Sequence, residues 1–149
     1  PVPENWSLVE AAALPETWFT VTQTLVMRAG LAPGMTVLVH GGAGGIGGAA
    51  IQVCAIAGAN AIAVVSDDDK ADYCESLGAT ATINRTSENL AERVMSLTGG
   101  HGADRVVDLI GGALTAVNRH GPAGSDHRQG PLSRRVRARG RLSRPPRRC

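Results

Sequence analysis

The sequence predicts an α/β fold: an open, doubly wound parallel sheet of about four strands with helices packed on its faces. Three observations predict it. Short apolar runs alternate with helical patterns in the order β-α-β-α-β-α-β, which argues for parallel strands joined by right-handed crossovers. The runs Val37-Leu38-Val39 and Ala61-Ile62-Ala63-Val64-Val65 are continuously apolar, as strands covered on both faces are. A glycine-rich turn, His40-Gly41-Gly42-Ala43-Gly44-Gly45-Ile46-Gly47-Gly48, joins the first run to an Ala-rich helical segment.

The elements follow in chain order. The opening stretch, Pro1 to Glu10, lacks a Met and reads as cut from a longer protein. Ser7 is placed to cap a short helix through Ala13. Pro15 and Glu16 suit the first turn of a second helix that runs to about Arg28 and ends at Gly30. On it Phe19, Leu25 and Val26 recur at roughly helical spacing. Pro33-Gly34 is a turn signal before the first strand. The helix after the glycine turn carries Ile46, Ala49, Ala50, Val53 and Ala57 on one side and stops near Gly58. Ala61–Val65 is the second strand. Ser66-Asp67-Asp68-Asp69 caps a helix reaching Leu77, closed by Gly78. Ala81-Thr82-Ile83 is a short third strand. An amphipathic helix spans Ser87–Leu97, with Leu90, Val94 and Leu97 on one face. Gly99-Gly100-His101-Gly102 is a loop. Arg105–Ile110 is the fourth strand, ended by Gly111-Gly112. As a Rossmann-like unit the strand order is 3-2-1-4. Two strands of the usual six are missing, so the sheet is incomplete.

Gly42, Gly44 and Gly47 satisfy G-x-G-x-x-G between a strand and a helix, the context a dinucleotide fingerprint requires. On this reading Gly42 lets the chain turn tightly, Gly44 lets the backbone approach a pyrophosphate, and Gly47 lets the helix pack closely. The N–H groups opening the helix, through Gly45, Ile46 and Gly47, then hold the phosphates with the positive end of the helix dipole. A purely structural strand-to-helix turn is the competing reading. No Gly-Lys-Ser/Thr follows the glycines, which excludes a P-loop.

The overall charge of +2 conceals a division. Residues 1–118 hold 5 basic and 12 acidic side chains, net −7; residues 119–149 hold 10 Arg and 1 Asp, net +9. The first part forms a partial dinucleotide-binding domain. The second has four Pro and almost no long apolar side chain, so it cannot bury enough surface to offset its ordering entropy. It is expected to be a disordered tail outside the native domain, of the Arg/Pro/Gly kind that a shifted reading frame produces in a GC-rich gene. A basic tail can also bind nucleic acid, but this one lacks aromatic residues, Lys and amphipathic period, so nucleic acid is not an expected partner.

Cys54, Cys74 and Cys149 show neither C-x-x-C spacing nor a neighbouring His, which argues against a disulfide framework or a zinc site. Cys54 and Cys74 fall on helices as small buried residues. No signal peptide and no apolar run of about 18 residues is present. The expected setting is cytoplasmic, with no membrane association. Asp67-Asp68-Asp69 lacks the Gly and distal Glu of an EF-hand, and no Ser-His-Asp or Cys-His set is visible. His40 and Asp108, at strand ends, are expected to be structural, and His101, His120 and His127 form no cluster.

Several phrases together resemble the medium-chain dehydrogenase/reductase superfamily, closest to its zinc-independent, zeta-crystallin-like quinone oxidoreductases. They are Ala11-Ala12-Ala13-Leu14-Pro15-Glu16-Thr17, Phe19-Thr20, Gly34-Met35-Thr36 leading into Val37–Gly42, Gly44-Gly45-Ile46-Gly47 with Ala50-Ile51-Gln52, Leu77-Gly78-Ala79, Ile83-Asn84, and Val106–Gly112. The resemblance covers roughly residues 3–114. It implies hydride transfer from NAD(P)H to a quinone or similar electron-poor small molecule, without metal, in a homo-oligomeric parent enzyme. It also implies an N-terminal catalytic domain that is not in this chain, so the chain is expected to be inactive alone. In the resembling position for the acidic residue of NAD users stands Val65, which favours NADPH, with NADH possible. The positions that hold the 2′-phosphate in the family read Ser66, Asp67 and Lys70 here. Arg85 replaces the family's usual Tyr and offers a second positive charge. Thr20 resembles a Thr near the nicotinamide, and Gly111 belongs to the cofactor-side turn after the fourth strand. Two further readings stay open: an enoyl reductase module of a larger synthase, and a non-catalytic, defunct nucleotide-binding fragment.

Overall fold

A computed structural model describes Val2 and residues 4–111; the expected tail, 119–149, lies outside the described residues. Helix α1 spans Leu8–Val21 and continues into a π-helical segment, Thr22–Arg28. Then come β1 (Thr36–His40), α2 (Gly45–Ile56), β2 (Asn60–Val65), α3 (Asp68–Ser76), β3 (Ala81–Asn84), α4 (Leu90–Leu97) and β4 (Arg105–Val107). The four strands form one sheet in the order β3-β2-β1-β4, all pairs parallel. The Rossmann-like strand order expected from the sequence is the one found.

The continuous apolar runs are explained by the two faces of this sheet. Val37 and Val39 of β1, with Ala61, Ala63 and Val65 of β2, point to a core completed by Val21, Leu25, Ile51, Cys54 and Cys74 from α1, the π segment, α2 and α3. Leu38, Ile62 and Val64 point the other way and pack with Ile83, Leu90 and Val94 against α4. Alternate residues bury on opposite faces, so the central positions of both strands, Val37–Val39 and Ala61–Val65, are all apolar.

Three elements differ from expectation. Ser7 does cap a helix, in a full capping box with Glu10, but that helix does not stop at Ala13. Pro15 lies inside α1. Proline lacks one N–H and so forfeits one i→i−4 bond; here the helix continues across it. The turns that follow wind as a π-helix, with Ala29 N–H reaching Thr24 O at 3.0 Å, and Gly30 at φ +64° ends the run. Helix α4 starts later than Ser87: Asn89 is its cap, its side chain accepting from the N–H groups of Ala91 and Glu92. Strand β4 ends at Val107 rather than Ile110, because the Asp108 carboxylate accepts from the N–H groups of Ile110 (3.2 Å) and Gly111 (2.7 Å) and curls the chain away.

Candidate functional site

The sheet order reverses between β1 and β4, and in open α/β sheets ligands settle at such a point, beyond the carboxyl ends of the strands. A groove of about 320 Å³ opens there, lined by Gly41–Gly44 after β1, Val64, Val65 and Ser66 at the end of β2, Lys70 of α3, Arg85 after β3, and Ile110.

The floor is the glycine turn. The left-handed residue in it is Gly41, at φ +67°. Gly42, expected to make the tight turn, has no positive φ; it is glycine because a Cβ there would lie 2.8 Å from Ala63 Cβ and 3.1 Å from Cys74 Sγ. Its N–H reaches back to Val64 O at 3.3 Å, tying the turn to β2. Gly47 fits its expected role: a Cβ would overlap the Gly41 carbonyl oxygen and lie 2.8 Å from Gly42 Cα. The start of α2 is therefore seated directly on the turn. A Cβ on Gly44 would meet only Gly41 O, at 3.3 Å.

The start of α2 differs from the other α-helices. Ser7, Asp67 and Asn89 each cap a helix with a side-chain oxygen. Gly44, the N-cap of α2, supplies none. The first intrahelical bond is Gly48 N–H to Gly44 O, at 2.7 Å. The N–H groups of Gly45, Ile46 and Gly47 precede it and, by helix geometry, lack intrahelical acceptors. Such a terminus favours an anion.

The polar wall comes from the ends of β2 and β3. Asp67 accepts from Lys70 N–H (3.1 Å) and ion-pairs with the Lys70 ammonium, and Ser66 Oγ donates to the same carboxylate at 2.9 Å. The Lys70 hydrogen bond first, then that of Ser66, holds the Asp67 carboxyl below the usual carboxylate range. Arg85 is exposed, and its backbone N–H is fixed to Val65 O at 3.0 Å.

Gly42, Gly44, Ser66, Lys70 and Arg85 thus come together, with Gly45, Ile46 and Gly47 opening the adjoining helix. Gly111, at φ +70°, follows the groove residue Ile110. Thr20 does not line this groove. It borders a separate depression of about 420 Å³ on α1 and the π segment, with Pro15, Glu16, Phe19 and Met27 among its lining. Thr17, one turn earlier, approaches the glycine turn: a Cβ on Gly45 would stand 3.4 Å from its methyl. Its sequence signal was its place in the Leu14-Pro15-Glu16-Thr17 phrase. Ile110 also belongs to the groove, and only the short β4 places it there.

Residues 45–119 match the model of the zinc-binding dehydrogenase family, half of the chain, and the chain belongs to that family. Within it the chain is quinone oxidoreductase-like and a member of the medium-chain dehydrogenase/reductase superfamily. It is 40% identical over 114 residues to bovine (Bos taurus) quinone oxidoreductase-like protein 2, covering 76% of this chain and 33% of that one. It is 34% identical over 116 residues to the low-reducing polyketide synthase drtA of Aspergillus calidoustus, covering 76% of this chain and 5% of the synthase. Among solved structures, Escherichia coli quinone oxidoreductase complexed with NADPH superposes with a TM-score of 0.73 at 32% identity, over 77% of this chain and 35% of that one. The chain spans about a third of the length of the quinone oxidoreductase-like relatives it matches. Among the described residues, no three His, Cys, Asp or Glu side chains converge as metal ligands. No helix among them is long and apolar enough to cross a membrane.

Proposed function

We propose that residues 1–118 form the dinucleotide-holding part of an oxidoreductase that passes hydride from NAD(P)H to a quinone or similar electron-poor small molecule. One observation carries the reading: an α-helix without a side-chain cap opens onto a groove at the topological switch of the sheet, with two cations on the facing wall. On this reading the pyrophosphate lies on the N–H groups of Gly45, Ile46 and Gly47, while Gly44, whose own N–H donates to Gly41 O at 2.9 Å, lets the backbone approach it. Ser66, Lys70 and Arg85 border the adenosine ribose end of the groove, where NADPH is favoured over NADH. Ile110–Gly111 and the face of α1 that carries Thr20 are assigned to the nicotinamide end. The dihydronicotinamide, when bound, supplies a hydride to the acceptor. The residues described here hold and orient that donor.

Orienting the acceptor falls to parts of the longer enzyme, and orientation supplies much of the rate. The chain alone is therefore expected to bind dinucleotide without turnover, and quinone-dependent NADPH oxidation by the pure chain would count against this. A homo-oligomeric parent rests on the family resemblance. The similarity to a polyketide synthase favours, as second reading, an enoyl reductase module; continuation of the gene into further synthase modules would select it. Calorimetric titration of the purified chain with NADPH and NADH tests the cofactor reading. NADPH binding supports it, and a folded sample that binds neither nucleotide sinks it in favour of a defunct fragment.

A further inference from the structure

The polar groups at the end of β2 are closed on one another. Lys70 Nζ donates to Ser66 Oγ at 2.9 Å and to the Asp67 carboxylate, and the single Ser66 hydroxyl proton goes to that same carboxylate. Asp67 is also the N-cap of α3, so its carboxylate cannot swing aside without uncapping the helix. Asp67 and Lys70 together carry no net charge, and their fields oppose each other at any third charge a few ångströms away.

Arg85 stands differently. Among the described residues its guanidinium has neither an ion-pair nor a hydrogen-bond partner. The nearby Glu88 is paired with Arg93 at 3.0 Å and accepts from Asn84 N–H at 2.8 Å. The backbone that carries Arg85 is fastened to the loop after β2. Arg85 N–H donates to Val65 O at 3.0 Å, Thr86 Oγ1 to Ser66 O at 3.3 Å, and Asn84 Nδ2 to Asp68 Oδ1 at 3.2 Å. A rigid turn thus presents an uncompensated planar fork of donors to the groove, the group best matched to a phosphate.

We infer that Arg85, and not the neutralised Lys70, is the residue through which this groove prefers a 2′-phosphorylated dinucleotide, with Asp67 opposing that preference. The inference rests on the dinucleotide reading above. The test is titration of the full 149-residue chain with NADPH and NADH at one fixed salt concentration. Arg85→Ala should weaken NADPH binding about tenfold or more, the span of one charge-assisted hydrogen-bonded contact. NADH binding should change by less than about twofold, and Arg85→Lys should restore part of the loss. Asp67→Ser, which keeps a capping hydroxyl, should tighten NADPH. Removing the pair together, as Asp67→Ser with Lys70→Ala, should keep the wild-type NADPH/NADH ratio within about threefold. A ratio insensitive to Arg85, or one abolished by removal of the pair, overturns the inference while leaving dinucleotide binding in place. A wild-type chain that binds neither nucleotide overturns the reading beneath it as well.

Discussion

Gly47→Ala separates close packing from helix propensity, because three glycines in the first turn of α2 differ only in what a methyl group would meet. At Gly45 the added Cβ stands 3.4 Å from Thr17 Cγ2, an ordinary contact. At Gly48 it stands 3.1 Å from Leu77 Cδ1, the end of a flexible side chain. At Gly47 it overlaps Gly41 O and lies 2.8 Å from both Gly42 Cα and Gly42 O. Restoring 3.4 Å to Gly42 alone requires about 0.6 Å of movement between α2 and the turn, and the Gly41 carbonyl requires more. Helix propensity favours Ala over Gly by up to about 1 kcal/mol at all three positions. Backbone overpacking costs about 1–3 kcal/mol. Gly45→Ala should therefore be neutral to stabilising and Gly48→Ala close to neutral. Gly47→Ala should be net destabilising by roughly 1–2 kcal/mol. Urea unfolding followed by circular dichroism reads the three midpoints. A Gly47→Ala midpoint equal to or above that of Gly45→Ala would refute the packing argument.

Three further outcomes are expected. Arg105 Nε donates to Ala29 O at 2.6 Å and ties the edge strand β4 to the end of the π segment; Arg105→Ala should destabilise by about 1–3 kcal/mol in the same assay, and no change would show the tie to be idle. The carboxyls of Asp67 and Glu10 are held below their ordinary values by hydrogen bonds, with Lys70 as the first cause for Asp67 and Ser7 for Glu10. A lowered folded value contributes stability that is present above the unfolded pKa, about 4, and lost as pH falls through the folded one. Asp67→Asn, which still caps α3, should blunt the loss of stability between about pH 5 and pH 3; an identical acid limb would contradict this. Burial pushes the Cys54 thiol up to about 11 and raises that of Cys74, with Glu75 adding to the latter. Both should resist iodoacetamide at pH 8 in the native chain and react on unfolding, as peptide mass mapping would report; rapid native labelling at either would refute the burial.

The strands were legible because a sheet covered on both faces needs unbroken apolar runs, and Val37–Val39 and Ala61–Val65 supply them. Helix ends were legible where a cap is chemical: Ser7, Asp67, Gly58 and Gly78 all stand at the expected ends. The fusion of two expected helices was not legible, since a proline announces a lost N–H but not whether packing carries the helix past it. The π winding of Thr22–Arg28 has no composition signal. The early end of β4 depends on Asp108 turning onto two following N–H groups, and an apolar run through Leu109-Ile110 hides it. In the groove, the glycines, Ser66, Lys70 and Arg85 were all legible. The distinction between a neutralised Lys70 and an unpartnered Arg85 was not, because it depends on which side chains meet across the groove.

The open start of α2 makes the groove a thermodynamic joint. Three helices carry their own stoppers in covalently attached side chains; α2 must borrow one from solution. Any anion seated there completes a secondary-structure element, so occupancy and folding are linked quantities. At a hundredfold excess over its Kd such a ligand adds about 2.7 kcal/mol, a large fraction of the roughly 5–15 kcal/mol that holds a domain together. The melting temperature of this chain then becomes a gauge of ligand concentration, and the amides of Gly45 to Gly47 are where hydrogen exchange would register it first.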